Sequence, residues 1–147
     1  MKSFFKKIII LSILSLPNTV NADFFEDITY KIENNSKRLS YGVSVTDMDQ
    51  DGKYEFLVTG FGYANLALSY DNGKLINIAN KNVFSDKFRK TIGVAACDVD
   101  RDGYEEIYFL NTDTYSGKKK YSDRLIDFEE NKFLDMFEIE KNKEDLN

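Results

Sequence analysis

Two stretches of this 147-residue chain place carboxylates at alternate positions, Asp47, Asp49 and Asp51 followed by Glu55, and Asp98, Asp100 and Asp102 followed by Glu106. Acids spaced by two around a turn aim their oxygens at one point, and the glycine after each third Asp (Gly52, Gly103) lets the backbone reverse without a Cβ clash. At the seventh position of each loop, Lys53 or Tyr104 can add a backbone carbonyl. The pattern predicts two oxygen cages for Ca2+, an ion that takes roughly six to eight oxygen ligands. Asp also forms ordinary turns by bonding its own backbone. Four carboxylates within nine residues, twice over, would however repel one another without a cation between them.

The loops are not EF-hands. That motif needs a bidentate Glu at its last position and a helix beyond it, whereas the corresponding residues here are Val58 and Phe109, inside strand-like runs. Composition removes other chemistries. The chain has no His, no Trp and a single cysteine, Cys97, so triads with an imidazole base and His-ligated zinc have no residues to use. One Cys cannot make an internal disulfide. In its sequence context, beside Ala95 and Ala96, Cys97 reads as a small buried strand residue.

Met1 to Lys7 is basic, Ile8 to Leu16 is apolar, and Val20 and Ala22 are small, which is the order of a cleavable signal peptide over residues 1–22. The apolar run is too short to span a bilayer, which takes about 20 residues. Cleavage before Asp23 removes Lys2, Lys6 and Lys7 from the 20 basic side chains, leaving 17 against 25 acidic ones, a balance of −8. The expectation is a secreted or periplasmic protein with no membrane insertion after cleavage. So negative a surface repels nucleic acid, which is excluded as a partner.

The elements that must hold the loops are visible as an internal repeat. YGVSVTDMDQDGKYEFLVTG (Tyr41 to Gly60) aligns with IGVAACDVDRDGYEEIYFLN (Ile92 to Asn111) at an offset of 51 residues, and Gly42 falls on Gly93. Short apolar runs separated by Gly, Asp and Asn predict strands at Val43 to Val45, Phe56 to Val58, Leu66 to Tyr70 and Leu75 to Ile78. The second unit predicts them at Val94 to Cys97, Ile107 to Leu110, Arg124 to Phe128 and Lys132 to Phe137. Asp71-Asn72-Gly73 and Glu130-Asn131 supply hairpin turns. The fold class is all-β, with two four-stranded β-propeller-type blades, since blades recur at roughly 40 to 50 residues. The organisation expected is a leader (1–22), a lead-in strand and loop with an apolar cluster at Phe24, Phe25, Ile28, Tyr30 and Ile32 (23–40), repeat 1 (41–90), repeat 2 (91–140) and a polar tail (141–147).

On the residues of these loops the chain resembles the FG-GAP (also VCBS) repeat family, whose DxDxDGxxD loop joins the first two strands of a propeller blade. Glu55 and Glu106 replace the family's ninth-position Asp. The strings NLALSYD and YSDRL, outside the loops, extend the resemblance to longer members of the family. It implies a secreted, calcium-binding β-propeller. Two blades cannot close a ring, so the expectation is part of a larger propeller, a truncated remnant without independent function, or an assembly with other blades that includes self-association through open blade edges.

The function expected is a structural or interaction module for an extracellular protein or glycan, with metal in a structural role and no enzymatic activity. The rival is a fragment of a propeller enzyme acting on extracellular polysaccharide, in which paired carboxylates serve as acid and base. Every clustered acid is already allotted to a cage, which weighs against it. The hydroxyl-rich loop Asn111 to Gly117 could meet a ligand at a propeller face, although loops of this composition are common.

Overall fold

The computed structural model describes residues 25–79, 83–84, 86–112 and 121–139. The leader, the polar tail, Phe24 and residues 113–117 of the hydroxyl-rich loop lie outside them.

Alternating patterns and Gly/Asn punctuation produce eight strands: β1 Val43–Thr46, β2 Glu55–Val58, β3 Leu66–Asp71, β4 Lys74–Asn77, β5 Thr91–Cys97, β6 Glu106–Asn111, β7 Arg124–Glu129 and β8 Lys132–Asp135. They form two four-stranded antiparallel sheets in sequential order, β1-β2-β3-β4 and β5-β6-β7-β8. The β3–β4 turn has positive φ at Asn72 (46°) and Gly73 (84°), and the β7–β8 turn has it at Glu130 (48°) and Asn131 (62°). Both central residues left-handed is the type I′ geometry, whose twist suits a two-residue hairpin.

Two expectations about the flanks are corrected. The lead-in is not a strand: Thr29–Lys31 is a turn of 3-10 helix, and Ile32 makes one isolated bridge to Leu75. Among the described residues its apolar side chains form no common core, since Phe25 is 95% exposed, Tyr30 73% and Ile28 38%. At the other end β8 stops at Asp135 and residues 136–139 turn helical, so Phe137 lies beyond the strand.

The sheets stack so that one face of the first covers one face of the second. Leu57 and Ala67 meet Ile107, Phe109 and Ile126, with Met48 and Phe84 filling the space between. Phe84 comes from the connector between the sheets, is fully buried, and stands edge-on to Phe109 (centroids 5.8 Å) and Phe133 (5.2 Å). The stacking is directional. Ile107 is 2% exposed, yet its equivalent in the first repeat, Phe56, is 43% exposed beside Val43 and Val45, because the same face of the first sheet has no sheet against it among the described residues. That direction also corrects Cys97, which is exposed. With Ala95 it sits on the face of β5 turned away from the first sheet.

The first sheet's β1 end and β5 come into close contact where the repeats carry their equivalent glycines. A Cβ on Gly42 would lie 3.1 Å from Gly93 Cα and 3.1 Å from Val94 N. The connector is pinned by charge as well as by Phe84. Arg124, at the start of β7, donates to Asp86 (3.0 Å), to Asp135 (2.7 Å) and to the Val83 carbonyl, and Arg89 also pairs with Asp86 (3.2 Å). From the first sheet's side, Asn65 takes the Gly60 N–H (2.8 Å) and donates to Asp86 (3.4 Å).

Candidate metal centre

Each acidic loop joins the first two strands of its sheet, β1 to β2 and β5 to β6, so the ladder fixes both ends. Within the loop the first Asp organises the turn. The Asp47 carboxylate accepts from the N–H of Asp51 (3.0 Å) and of Gly52 (2.9 Å). Asp98 does the same with Arg101 (2.6 Å) and Gly103 (3.2 Å). Backbone reversal follows at Gly52 (φ 85°) and Gly103 (φ 99°), a region that suits glycine. The ninth-position Glu closes the ring: Glu55 accepts from Met48 N–H (3.3 Å) and Glu106 from Val99 N–H (2.6 Å).

The outcome is two groups of three carboxylates, Asp47, Asp49 and Glu55, and Asp98, Asp100 and Glu106, each with ligand oxygens within 4.8 Å of one another. The turn-forming role of Asp and the cage are therefore both present, since a carboxylate that accepts backbone N–H bonds keeps lone pairs for an ion. Asp51 and Asp102 lie outside these groups. Asp51 accepts from Lys53 N–H (2.8 Å) and pairs with the Lys53 ammonium (2.9 Å), and Asp102 accepts from Tyr104 N–H (2.8 Å).

The electrostatics suit a cation. Burial, then the charges of Asp51 and Asp47, push the Asp49 carboxyl above its ordinary range. Burial raises Glu55 against the opposing hydrogen bond from Ser69, and it raises Glu106 with the charges of Asp100 and Asp127 adding to it. Asp51 is held below the usual range by its hydrogen bond with Lys53. Most telling, Asp49 Oδ1 and Glu106 Oε1 are buried and have no hydrogen-bond partner. Buried polar atoms are satisfied as a rule, and a hard divalent cation satisfies carboxylate oxygens in an all-oxygen setting. The residues therefore fit a metal of that kind.

Two side chains at these sites were not visible in the loop motif. Ser69 on β3 donates to Glu55 (2.9 Å), and Asp127 on β7 lies beside Glu106. Aligning SYDNGK from Ser69 with DFEENK from Asp127 would have paired them, at an offset of 58 rather than 51.

A four-stranded antiparallel blade with an acidic, glycine-bearing loop between its first two strands defines a propeller-type repeat. Residues 47–109, which span both acidic loops and the strands around them, match the family model described as FG-GAP-like repeat. Over 119 residues the chain is 44% identical to cartilage acidic protein 1 of Xenopus tropicalis and of Homo sapiens, and 42% identical to that of Mus musculus. Each match covers 75% of this chain and 18% of the relative, so the chain spans less than a fifth of their length. No helix among the described residues is long and apolar enough to cross a membrane.

Proposed function

We propose that this chain is a secreted or periplasmic calcium-binding repeat module that uses two structural Ca2+ ions to hold blade surfaces for an extracellular protein or glycan partner. The observation that carries the calcium reading is the buried, unpartnered oxygen in each carboxylate group, Asp49 Oδ1 in the first and Glu106 Oε1 in the second. The full ligand set is Asp47, Asp49, Asp51, Glu55 and the Lys53 carbonyl at one site, and Asp98, Asp100, Asp102, Glu106 and the Tyr104 carbonyl at the other. Recruiting Asp51 requires its pair with Lys53 to open. Both side chains are well exposed, 40% and 67%, and exposed ion pairs are weak. The exposed apolar face of Val43, Val45 and Phe56 is where a further blade, a partner or a second copy packs.

Calorimetric titration tests the reading. The chain takes up two calcium ions with affinity on the order of 10⁻⁴ to 10⁻³ M, the range of extracellular modules. Asp49→Ala and Asp100→Ala each remove one. Magnesium competes poorly, since it demands near-octahedral geometry and dehydrates reluctantly. Two ions retained in both variants would remove the loops from consideration. The leader is checked separately: the mass of exported protein corresponds to a chain beginning at Asp23, and intact Met1 on exported material would rule out the cleavage.

A further inference from the structure

The two centres are not chemically equivalent, although their loops align residue for residue. We propose that Asp127 is a fifth carboxylate of the second centre and that it makes this centre the tighter of the two divalent-cation sites. The proposal rests on the calcium reading above and adds a residue outside the family's loop motif.

Strand register carries the argument. On β2 and β3, Phe56 pairs with Leu68, so one further step sets Glu55 opposite Ser69, as their 2.9 Å hydrogen bond confirms. On β6 and β7, Ile107 pairs with Ile126, and the same step sets Glu106 opposite Asp127. A cross-strand neighbour on the same face lies about 5 Å away at Cβ. The first centre therefore has a neutral hydroxyl that satisfies Glu55 Oε1. The second has another carboxylate at that position, and Glu106 Oε1 is left with no partner in a residue only 4% exposed. Asp127 is itself 5% exposed, and Glu129 follows on the same face of β7.

Two buried acids side by side are destabilising unless something positive lies between them. A divalent cation at the Asp98, Asp100 and Glu106 group provides that charge. Position seven of the loop acts in the same direction. In the first centre the Lys53 ammonium already sits 2.9 Å from Asp51 and competes with an incoming ion, whereas Tyr104 in the second offers no charge. Position four acts the other way, since Arg101 replaces Gln50, but Arg101 is exposed and its contact with the cage is through its backbone N–H. Ligand charge is one of the quantities that set calcium affinity at oxygen sites, and here it favours the second.

Calcium titration of the full chain, with circular dichroism as the check on folding, decides the matter. The wild-type isotherm resolves two classes of site separated by about tenfold or more, and Asp100→Ala abolishes the tighter one. In an Asp49→Ala background, where only the second centre remains, Asp127→Ser weakens calcium by about tenfold. In an Asp100→Ala background the same change leaves the first centre unaltered. Ser69→Asp gives the converse, tightening the first centre, and it decides the question if Asp127→Ser does not fold. Two ions bound with equal affinity, a tighter site lost through Asp49→Ala, or a folded Asp127→Ser with unchanged affinity overturns the proposal while leaving calcium binding intact. No calcium uptake by the wild type overturns both.

Discussion

Adding about 10 mM calcium to the chelator-treated chain raises its melting temperature by on the order of 10 °C at neutral pH. An ion that binds only the folded state stabilises it by RT ln(1 + [L]/Kd), which is about 1.4 to 2.7 kcal/mol per site when the ligand stands at roughly ten to a hundred times Kd. Two sites act together, and each relieves a group of three converging carboxylates. The pH dependence should reverse between the two conditions. Asp49, Glu55, Glu106 and Glu129 are raised in the fold, the first three chiefly by burial and Glu129 chiefly by the charge of Asp127. A carboxylate raised on folding costs stability while ionised, and that cost is relieved as pH falls through its folded pKa towards the unfolded one. The chelated chain therefore becomes more stable as pH drops from neutral towards about 5, whereas the calcium-loaded chain becomes less so because protons displace the ion. Asp51 and Asp27, held below their usual range by hydrogen bonds from Lys53 and Thr29, are exposed and oppose the trend only weakly. Identical melting curves in calcium and chelator would show the loops to be plain turns.

Replacing Arg124 by Ala lowers stability by about 3 to 5 kcal/mol, the cost of removing one partner from a buried ion pair. The Arg124, Asp86 and Asp135 side chains are 8%, 9% and 6% exposed. Asp86 keeps Arg89 after the change. Asp135 keeps only the Phe137 N–H (3.2 Å) among the described hydrogen bonds, so its buried charge carries most of the penalty. Denaturant unfolding at neutral pH measures the loss. Pairing Arg124→Met with Asp135→Asn restores part of it relative to Arg124→Met alone, since the orphaned charge is then gone. A loss below about 1 kcal/mol in Arg124→Ala, typical of an exposed pair, would show that the cluster does not hold the connector to the second sheet.

The sequence alone determined the eight strands, the two tight hairpin turns, the two-sheet all-β class and the position of both acidic loops. These depend on local chemistry: the period of two in a strand, the left-handed tolerance of Asn72-Gly73 and Glu130-Asn131, and the spacing of Asp47, Asp49 and Asp51 around one glycine. Only the tertiary structure decided which face of each sheet is buried. Phe56 and Ile107 occupy the same place in the repeat, and the stacking direction leaves one at the surface and puts the other in the core; for the same reason Cys97 is exposed. It likewise placed Phe84 in the core and gathered Arg124, Asp86 and Asp135, residues from a connector and two strands whose spacing follows no period. Ser69 and Asp127 escaped the loop alignment because the chain between the second and third strands is longer in the second repeat, which moves the offset from 51 to 58. Hydrogen-bonded register, and not distance along the chain, sets Asp127 beside Glu106. A cross-strand neighbour is chosen by pairing between segments whose linkers vary in length, so the carboxylates of one loop can be read from its spacing while the group facing them across the ladder cannot.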